Sequence, residues 1–265
     1  MLALVLFACN DNTLLVDGDP SGGTSMDDSG AAVDQAALDA EWDGARLVIE
    51  SPASAAFLAF EEPSTFSAVV YGADGEPKEF DGITWASDQD SEWALAGALM
   101  EDASLEVGTH ALTAEALLPN GDRLAYTVGG VLVQSVYAGV YVGDLAITAS
   151  GDYNGQALSL GCSGALTIVV DAEGEAAVGE AGCLLSLLGY DLDTSYLFDL
   201  ENDEGALAGT ASIDLQWFAL PVETTGALTV DGELTGAFTA DVAGFLAMEG
   251  SYDATRLTRD LSTVE

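Results

Sequence analysis

From residue 45 onward, apolar and polar residues alternate with a period of two, which is the pattern of a half-buried β-strand. The segments ARLVIE, TFSAVVY, ITWAS and HALTAEA each place their apolar residues on one face. Those apolar residues are Leu47, Ile49, Phe66, Ala68, Val70, Ile83, Trp85, Leu112, Ala114 and Ala116. Turn sequences separate the segments: GADGEP at 72–77, and PNGD at 119–122, whose Asn-Gly pair is typical of a hairpin. The pattern predicts a two-sheet β-sandwich over residues 45–135.

Residues 136–265 keep this alternation and add regularly spaced glycines. In GALAGTASIDLQWF, one face carries Ala211, Ile213, Leu215 and Trp217. A Gly-x-Leu-x-Gly spacing occurs at 205–209 and again at 232–236. Short strands spaced so regularly predict an antiparallel meander of about eight strands, closed as a barrel or folded as a sandwich, with glycines relieving the bends. The chain is therefore expected to be all-β and to contain two domains.

Part of the first domain resembles a known family. The stretch ITWASDQDSEWALAGALMEDASLEVGTHALTAEALLPNGD is similar to the second half of bacterial immunoglobulin-like modules of the polycystic-kidney-disease and cadherin-like kind. The matching residues are Trp85, Ser87, Asp88, Leu105, Gly108, Thr109, His110, Leu112, Thr113 and Ala114. The resemblance implies an Ig-like sandwich that serves as a spacer or binding platform, and it brings no catalytic residues with it.

The chain opens with MLALVLFAC, an apolar run that ends at Cys9. The run is shorter than the roughly 20 residues that span a bilayer, and it lacks the basic start of a secretory signal. The segment LFAC resembles the lipobox of bacterial lipoproteins: Leu6, Ala8 and Cys9 match, whereas Phe7 departs from the usual small residue. The resemblance implies that residues 1–9 are a truncated signal peptide whose true start lies upstream, and that Cys9 is the lipid attachment site. The alternative is a buried first strand with a chance cysteine.

Residues 10–44 are expected to form a flexible acidic linker. Asp, Gly, Ser and Asn dominate the first part, which has no periodicity and too little apolar surface to offset the entropy of ordering it. The Ala-rich stretch 31–42 predicts a short helix, which would be marginal in isolation. Such a tether suits an outer-membrane-anchored lipoprotein of the cell envelope, either periplasmic or exposed on the surface.

The formal charge of −40, from 45 acidic and five basic residues, excludes nucleic acid as a partner because the surface repels phosphate. A solvated acidic surface explains the composition, and weak calcium binding is the alternative. Three clusters of carboxylates are the candidates: Asp17 and Asp19; Asp88, Asp90 and Glu92; and Asp199, Glu201, Asp203 and Glu204. The cluster at 199–204 is the first choice among them, although no cluster matches a known calcium loop.

Three cysteines are present. If Cys9 carries lipid, Cys162 and Cys183 remain as a pair that flanks a predicted hairpin, and we expect them to form a disulfide. Closing a loop of about 20 residues would add about 3 kcal/mol of stability. A buried reduced pair is the alternative. No metal site or cofactor is predicted, because zinc would need further ligands nearby.

The sequence offers little catalytic chemistry. His110 is the only histidine, it lies at the start of a strand, and no G-x-S-x-G motif accompanies it. We therefore expect a non-enzymatic envelope protein that acts in adhesion or as a structural scaffold, with a protein or glycan surface as its partner. The alternative is a carrier whose second domain encloses a small apolar molecule. The residues placed near the mouth or lumen of that carrier are Tyr190, Tyr196, Trp217 and Phe218.

Overall fold

The computed structural model describes residues 34–153, 155–187, 190–214, 219–242 and 246–263. The first domain consists of helix α1 (Gln35–Trp42) and strands β1 (Arg46–Ser51), β2 (Phe57–Ala59), β3 (Ser64–Tyr71), β4 (Pro77–Lys78), β5 (Ile83–Ser87), β6 (Ala94–Ala96), β7 (Leu99–Asp102), β8 (Gly108–Leu117) and β9 (Arg123–Gln134). The second consists of β10 (Gly139–Tyr153), β11 (Gln156–Val170), β12 (Ala176–Leu187), β13 (Tyr190–Asp203), β14 (Ala206–Asp214), β15 (Ala219–Leu228), β16 (Glu233–Val242), β17 (Leu246–Thr258) and a final 3₁₀ turn (Leu261–Thr263). The fold is all-β, as the alternation predicts.

The first domain is a sandwich of two sheets. One sheet has the order β1-β3-β4, with β7 also paired to β3, and the other has the order β2-β9-β8-β5-β6. Every apolar residue assigned to a strand face in this domain is buried: Leu47, Ile49, Phe66, Ala68, Val70, Ile83, Trp85, Leu112, Ala114 and Ala116. Aromatic contacts join the two sheets across the core, since the Phe66 and Trp85 rings lie edge to face at 5.9 Å. The PNGD turn connects β8 to β9 at the predicted place.

Residues 10–33 of the expected linker lie outside the described residues, whereas 35–42 form a helix within the stretch predicted to be helical, and the end of this helix packs on the sandwich. Asp34 caps helix α1 by accepting the backbone N–H groups of Ala36 and Ala37 at 3.2 and 3.4 Å. Trp42, only 7% exposed, belongs to the sandwich core, and its ring lies 5.8 Å from that of Phe80. The helix is marginal by itself, and burial of this large side chain stabilises it.

The second domain is a closed barrel of eight antiparallel strands in sequence order. Closure comes from pairing of β10 with β17, the first and last strands. Most inward positions are apolar, and their side chains form one continuous core that includes Leu145, Ile168, Leu200, Leu207 and Leu234. Outward positions carry mainly acidic, hydroxyl and small side chains. Of the two architectures that the alternation allows for this domain, the structure has the barrel.

Candidate functional site, an acidic groove between the two domains

The chain passes from the sandwich to the barrel through residues 135–138, and hydrogen bonds hold this passage in place. The Ser135 N–H donates to the carbonyl of Ala172, in the turn between β11 and β12, at 2.8 Å. The side-chain amide of Gln134, which is 2% exposed, donates to the carbonyl of Arg259 at 3.0 Å. The barrel therefore contacts the end of the sandwich through the turn between β11 and β12 and through the residues that follow β17.

Two arginines at the end of β17 strengthen the same junction. Arg256 donates to the carbonyls of Val136 at 2.5 Å and Val230 at 2.9 Å. Arg259 donates to the Val136 carbonyl at 3.1 Å, and its guanidinium lies 4.3 Å from the ring centroid of Phe57 in the sandwich. Partial burial lowers the pKa of Arg259, and the positive charge of Arg256 lowers it further. Two of the five basic residues are thus used to join the domains.

Beside the junction lies a groove of about 570 Å³ whose walls come from both domains. Its carboxylate side chains are Glu61, Glu62, Glu173, Glu175, Asp203 and Glu204, and no lysine or arginine of the described chain lines it. Like charges at short range repel one another, and water and salt reduce that repulsion. The groove is therefore a strongly negative surface that repels phosphate and other anions. We call it the acidic groove.

Two tight turns form the barrel wall of the acidic groove. The carboxylate of Asp171 accepts the N–H of Glu175 at 2.8 Å, and the side-chain amide of Asn202 donates to the carbonyl of Gly174 at 2.6 Å. Gly174 has a φ of +80°, and a Cβ atom there would overlap the Ser135 hydroxyl. Only glycine fits this position, so the turn sits close against the connecting chain.

The carboxylates chosen from sequence as a calcium loop are divided between two surfaces. Asp203 and Glu204 line the acidic groove, whereas Asp199 and Glu201 are exposed on the outer face of β13. Asp17 and Asp19 lie outside the described residues. Within the described ranges, no group of three or more His, Cys, Asp or Glu side chains is arranged to hold a metal ion. Calcium binding stays a prediction without a defined coordination site.

The third predicted cluster has local structural roles. Asp88 accepts the Ala111 N–H at 2.6 Å, and this bond is the main cause that lowers the pKa of the Asp88 carboxyl. Asp90 accepts the N–H groups of Glu92 at 3.1 Å and Trp93 at 3.0 Å. These carboxylate oxygens order the loop after β5, and the structure does not direct them toward a shared centre.

The single histidine lies at the start of β8, as predicted, and it is buried. His110 is 1% exposed; its Nε2 is 2.8 Å from the carbonyl of Glu106, and its Nδ1 is 2.7 Å from the Ser87 hydroxyl. A carbonyl can only accept, so the Nε2–H group donates to Glu106, which leaves Nδ1 to accept from the Ser87 hydroxyl. The Ser87 oxygen also accepts the N–H groups of Gln89 and Asp90. Both of its lone pairs are engaged, so this pair joins β5 to β8 and does not form an activated nucleophile.

Cys162 and Cys183 form a disulfide in the barrel interior. The bond links β11 to β12, with 5.8 Å between the two Cα atoms. Cys183 is 6% exposed, and Cys162 packs against the same core. The pairing expected from cysteine arithmetic is present, whereas Cys9 lies outside the described residues.

Two tyrosines occupy the middle of the barrel. The Tyr196 hydroxyl lies 3.3 Å from the Thr194 hydroxyl, and the Tyr252 hydroxyl lies 3.1 Å from that of Thr224. Burial raises the pKa of both phenols. Tyr196, which the carrier hypothesis places at a mouth or lumen, is thus a core residue. Tyr190 begins β13, and Trp217 and Phe218 lie outside the described residues.

Sequence reasoning missed most of the acidic groove. Glu173 and Glu175 belong to the turn after β11, and Glu61 and Glu62 follow β2 in the sandwich. Alternate turns of an antiparallel meander lie at the same end of a barrel, so the turns after β11 and β13 are predictably neighbours. Nothing in the sequence indicates which loop of the other domain faces them.

Comparison with known proteins adds no family assignment: no protein-family model matches the chain, and no curated protein matches it at a significant level. None of the helices in the described ranges has the length and apolar character needed to cross a membrane.

Proposed function

We propose that this protein is a non-enzymatic, lipid-anchored protein of the cell envelope that acts as a structural scaffold or adhesion module. In this proposal a lipid on Cys9 holds the chain at the outer membrane, and the acidic segment after it carries two β-domains away from the lipid surface. The domains then present a surface to a protein or glycan partner, on the periplasmic or the outer side.

The junction between the domains is the observation that carries the proposal. Arg256 and Arg259 both donate to the carbonyl of Val136, and Gln134 donates back to Arg259. The cation–π contact between Arg259 and Phe57 adds an attraction that salt screens only weakly in a partly buried site. A scaffold needs such a junction, since a freely jointed pair of domains would not hold a partner at a set distance.

The packing of the barrel supports a scaffold over a carrier. Tyr141, Leu145, Ile168 and Tyr196 are each fully buried in the interior, where a carrier would need open volume for its ligand. The negative surface further supports partners that lack phosphate, because both the acidic groove and the net charge repel it.

The lipid anchor is tested by intact-mass analysis of the protein from the membrane fraction. The native chain is expected to carry the added mass of two or three acyl chains with their glycerol unit, and a Cys9→Ser variant is expected to lose that mass and leave the membrane. The physical reason is that two or more acyl chains bind a bilayer stably, whereas the protein itself is repelled by anionic headgroups.

A Cys162→Ser/Cys183→Ser variant is the matched control, because it removes the other two cysteines and should keep both the adduct and the membrane location. Recovery of the native chain without an adduct, in the cytosolic fraction, would contradict the proposal.

A further inference from the structure

His110, at the start of β8, is the only histidine of the chain, and both nitrogens of its buried ring are engaged. Nε2 donates to the Glu106 carbonyl at 2.8 Å, and Nδ1 accepts from the Ser87 hydroxyl at 2.7 Å. A second ring proton would bind at Nδ1 and would convert this nitrogen from an acceptor into a donor. The hydrogen bond from Ser87 therefore forms only while the ring is neutral.

The Ser87 oxygen has no free position for a hydrogen bond from a protonated ring. A hydroxyl oxygen has two lone pairs. Those of Ser87 already accept the backbone N–H groups of Gln89 at 3.2 Å and Asp90 at 3.3 Å. Protonation of Nδ1 would therefore leave one donor without an acceptor, either on the ring or on the backbone. An unpaired donor beside a buried charge is unfavourable, so this arrangement of hydrogen bonds requires a neutral imidazole.

The conformation of residues 88–93, which we call the β5–β6 connection, depends on this hydroxyl. Ser87 accepts two N–H groups near its start, those of Gln89 and Asp90. The carboxylate of the buried Asp90 in turn accepts the N–H of Trp93 at 3.0 Å. Trp93 belongs to the core of the sandwich. The Ser87 hydroxyl thus fixes the part of the connection that positions Asp90 for its bond to Trp93.

The described elements around His110 carry acidic side chains. Between β5 and β8 these are Asp88, Asp90, Glu92, Asp102 and Glu106, whereas β9 places the uncharged Val131 opposite His110. The pKa of Asp88 is lowered mainly by the hydrogen bond from Ala111, and a charge on His110 is a smaller cause. Asp88 is exposed, so water and salt screen its attraction for a charged ring. The surrounding charge therefore offsets little of the hydrogen-bonding conflict at Nδ1.

We propose that the β5–β6 connection is an acid-sensitive switch, which the protonation of His110 opens. At neutral pH the uncharged ring accepts from Ser87, and the Ser87 oxygen holds the N–H groups of Gln89 and Asp90. In acid a proton on Nδ1 breaks the bond from Ser87, the connection opens, and the charged ring reaches water. The ladder between β5 and β8 is formed by backbone groups and remains paired.

The direction of the effect follows from where the additional proton binds. The open connection accepts a proton on the ring and the closed connection does not, so a lower pH favours opening. An imidazole in water gains its proton near pH 6.5, whereas carboxylates do so near pH 4. The imidazole is therefore the side chain expected to change charge between pH 7.5 and 5.5. At pH 5.5, one unit below the titration of a free imidazole, opening is favoured about tenfold.

NMR of the whole chain at pH 7.5 and pH 5.5 tests this proposal. The single imidazole gives one set of ring signals, which report its protonation directly. Amide hydrogen exchange, corrected for the intrinsic effect of pH on exchange, should show about tenfold lower protection of the Gln89 and Asp90 N–H groups at pH 5.5. The Glu76 N–H is the internal control, because the Asp74 carboxylate accepts it at 3.0 Å in a turn without histidine. Its protection should be equal at the two pH values.

Two variants separate the proton from the hydroxyl, with far-UV circular dichroism to check that each is folded. His110→Gln removes the titrating group, so protection of Gln89 and Asp90 should no longer depend on pH. Ser87→Ala removes their acceptor and should lower their protection at both pH values. Equal protection of these two amides at pH 7.5 and 5.5 in the parent chain would overturn the proposal, whatever the variants show. So would a loss of protection in acid that is as large in a folded His110→Gln variant.

Discussion

At the scale of the residue, side-chain hydrogen bonds connect residues of the sequence motif that predicts an immunoglobulin-like module. Ser87, Asp88 and His110 belong to that motif. Ser87 and Asp88, at the end of β5 and just after it, are hydrogen-bonded to the first residues of β8. His110 accepts from Ser87, and Asp88 accepts the N–H of the residue that follows His110. These hydrogen bonds hold the end of β5 against the start of β8.

Replacing His110 by alanine should destabilise the sandwich by about 3 kcal/mol, because it opens a cavity in the core and removes the hydrogen bonds of the buried ring to the Glu106 carbonyl and the Ser87 hydroxyl. Urea unfolding followed by tryptophan fluorescence measures this destabilisation, since Trp85 and Trp93 lie in the same core. Glu115→Ala, at an exposed position on the same strand, is the control and should change stability by less than about 0.5 kcal/mol. Equal stability of the two variants would show that the buried histidine has no stabilising role.

At the scale of the element, the barrel strands bury phenols as well as hydrocarbon. Tyr141, Tyr196 and Tyr252 are each no more than 2% exposed, and burial is the main cause that raises the pKa of each. Above the ordinary tyrosine pKa of about 10, the unfolded chain loses protons that the folded barrel retains. The free energy of unfolding therefore falls as pH rises from about 10 toward the folded pKa values.

Substituting phenylalanine for Tyr252 should make this alkaline decrease in stability less steep, because one titrating group is removed from the barrel. Phenolate absorbance near 295 nm and far-UV circular dichroism, followed together from pH 9 to 12, measure the effect. Tyr126→Phe is the matched control, since Tyr126 is 43% exposed in the sandwich and should leave the steepness unchanged. An alkaline transition as steep in Tyr252→Phe as in the parent chain would contradict this explanation.

At the scale of the whole molecule, the barrel and sandwich are joined against strong like-charge repulsion. The acidic groove places carboxylates of both domains in one cavity, beside the arginines that hold the junction. Arg259 binds a backbone carbonyl and the Phe57 ring at this junction. The attraction at the junction is therefore local, while the repulsion is spread over the groove and is screened by salt.

Spin labels on Leu117→Cys in the sandwich and Leu184→Cys in the barrel should give one narrow distance distribution by pulsed electron paramagnetic resonance. Both positions are more than half exposed, so the labels should not disturb the cores. Arg259→Ala should broaden the distribution, because it removes a hydrogen bond and the cation–π contact between domains. Arg46→Ala, which removes a similar contact with Tyr71 inside the sandwich, should leave it narrow. A broad distribution in the parent chain would contradict a fixed junction.

Local periodicity predicted most of the strands, because side-chain alternation depends only on neighbouring residues. It identified the buried faces of β1, β3, β5 and β8, and the positions of two cysteines around a hairpin identified the disulfide. Closure of the barrel was left open, since pairing of β10 with β17 joins residues about 100 positions apart or more.

The junction and the acidic groove were not predictable for the same reason. Arg256 and Arg259 read as two isolated charges in the sequence, and only the return of β17 to the sandwich reveals their roles. Trp42 similarly looked like the end of a linker, although it packs into the core of the sandwich. Contacts between distant segments decide these features, and a single sequence contains no local sign of them.

Because the barrel is closed, its first and last strands, β10 and β17, are hydrogen-bonded neighbours. Because the number of strands is even, these two strands are antiparallel, so the start of β10 (Val140) and the end of β17 (Thr258) lie together at the end that faces the sandwich. The chain thus enters and leaves the barrel at the same end, beside the sandwich. Replacing the segment between Val140 and Thr258 by another closed barrel with an even number of strands would therefore require new contacts at only one surface of the sandwich. The rest of the sandwich would need no redesign.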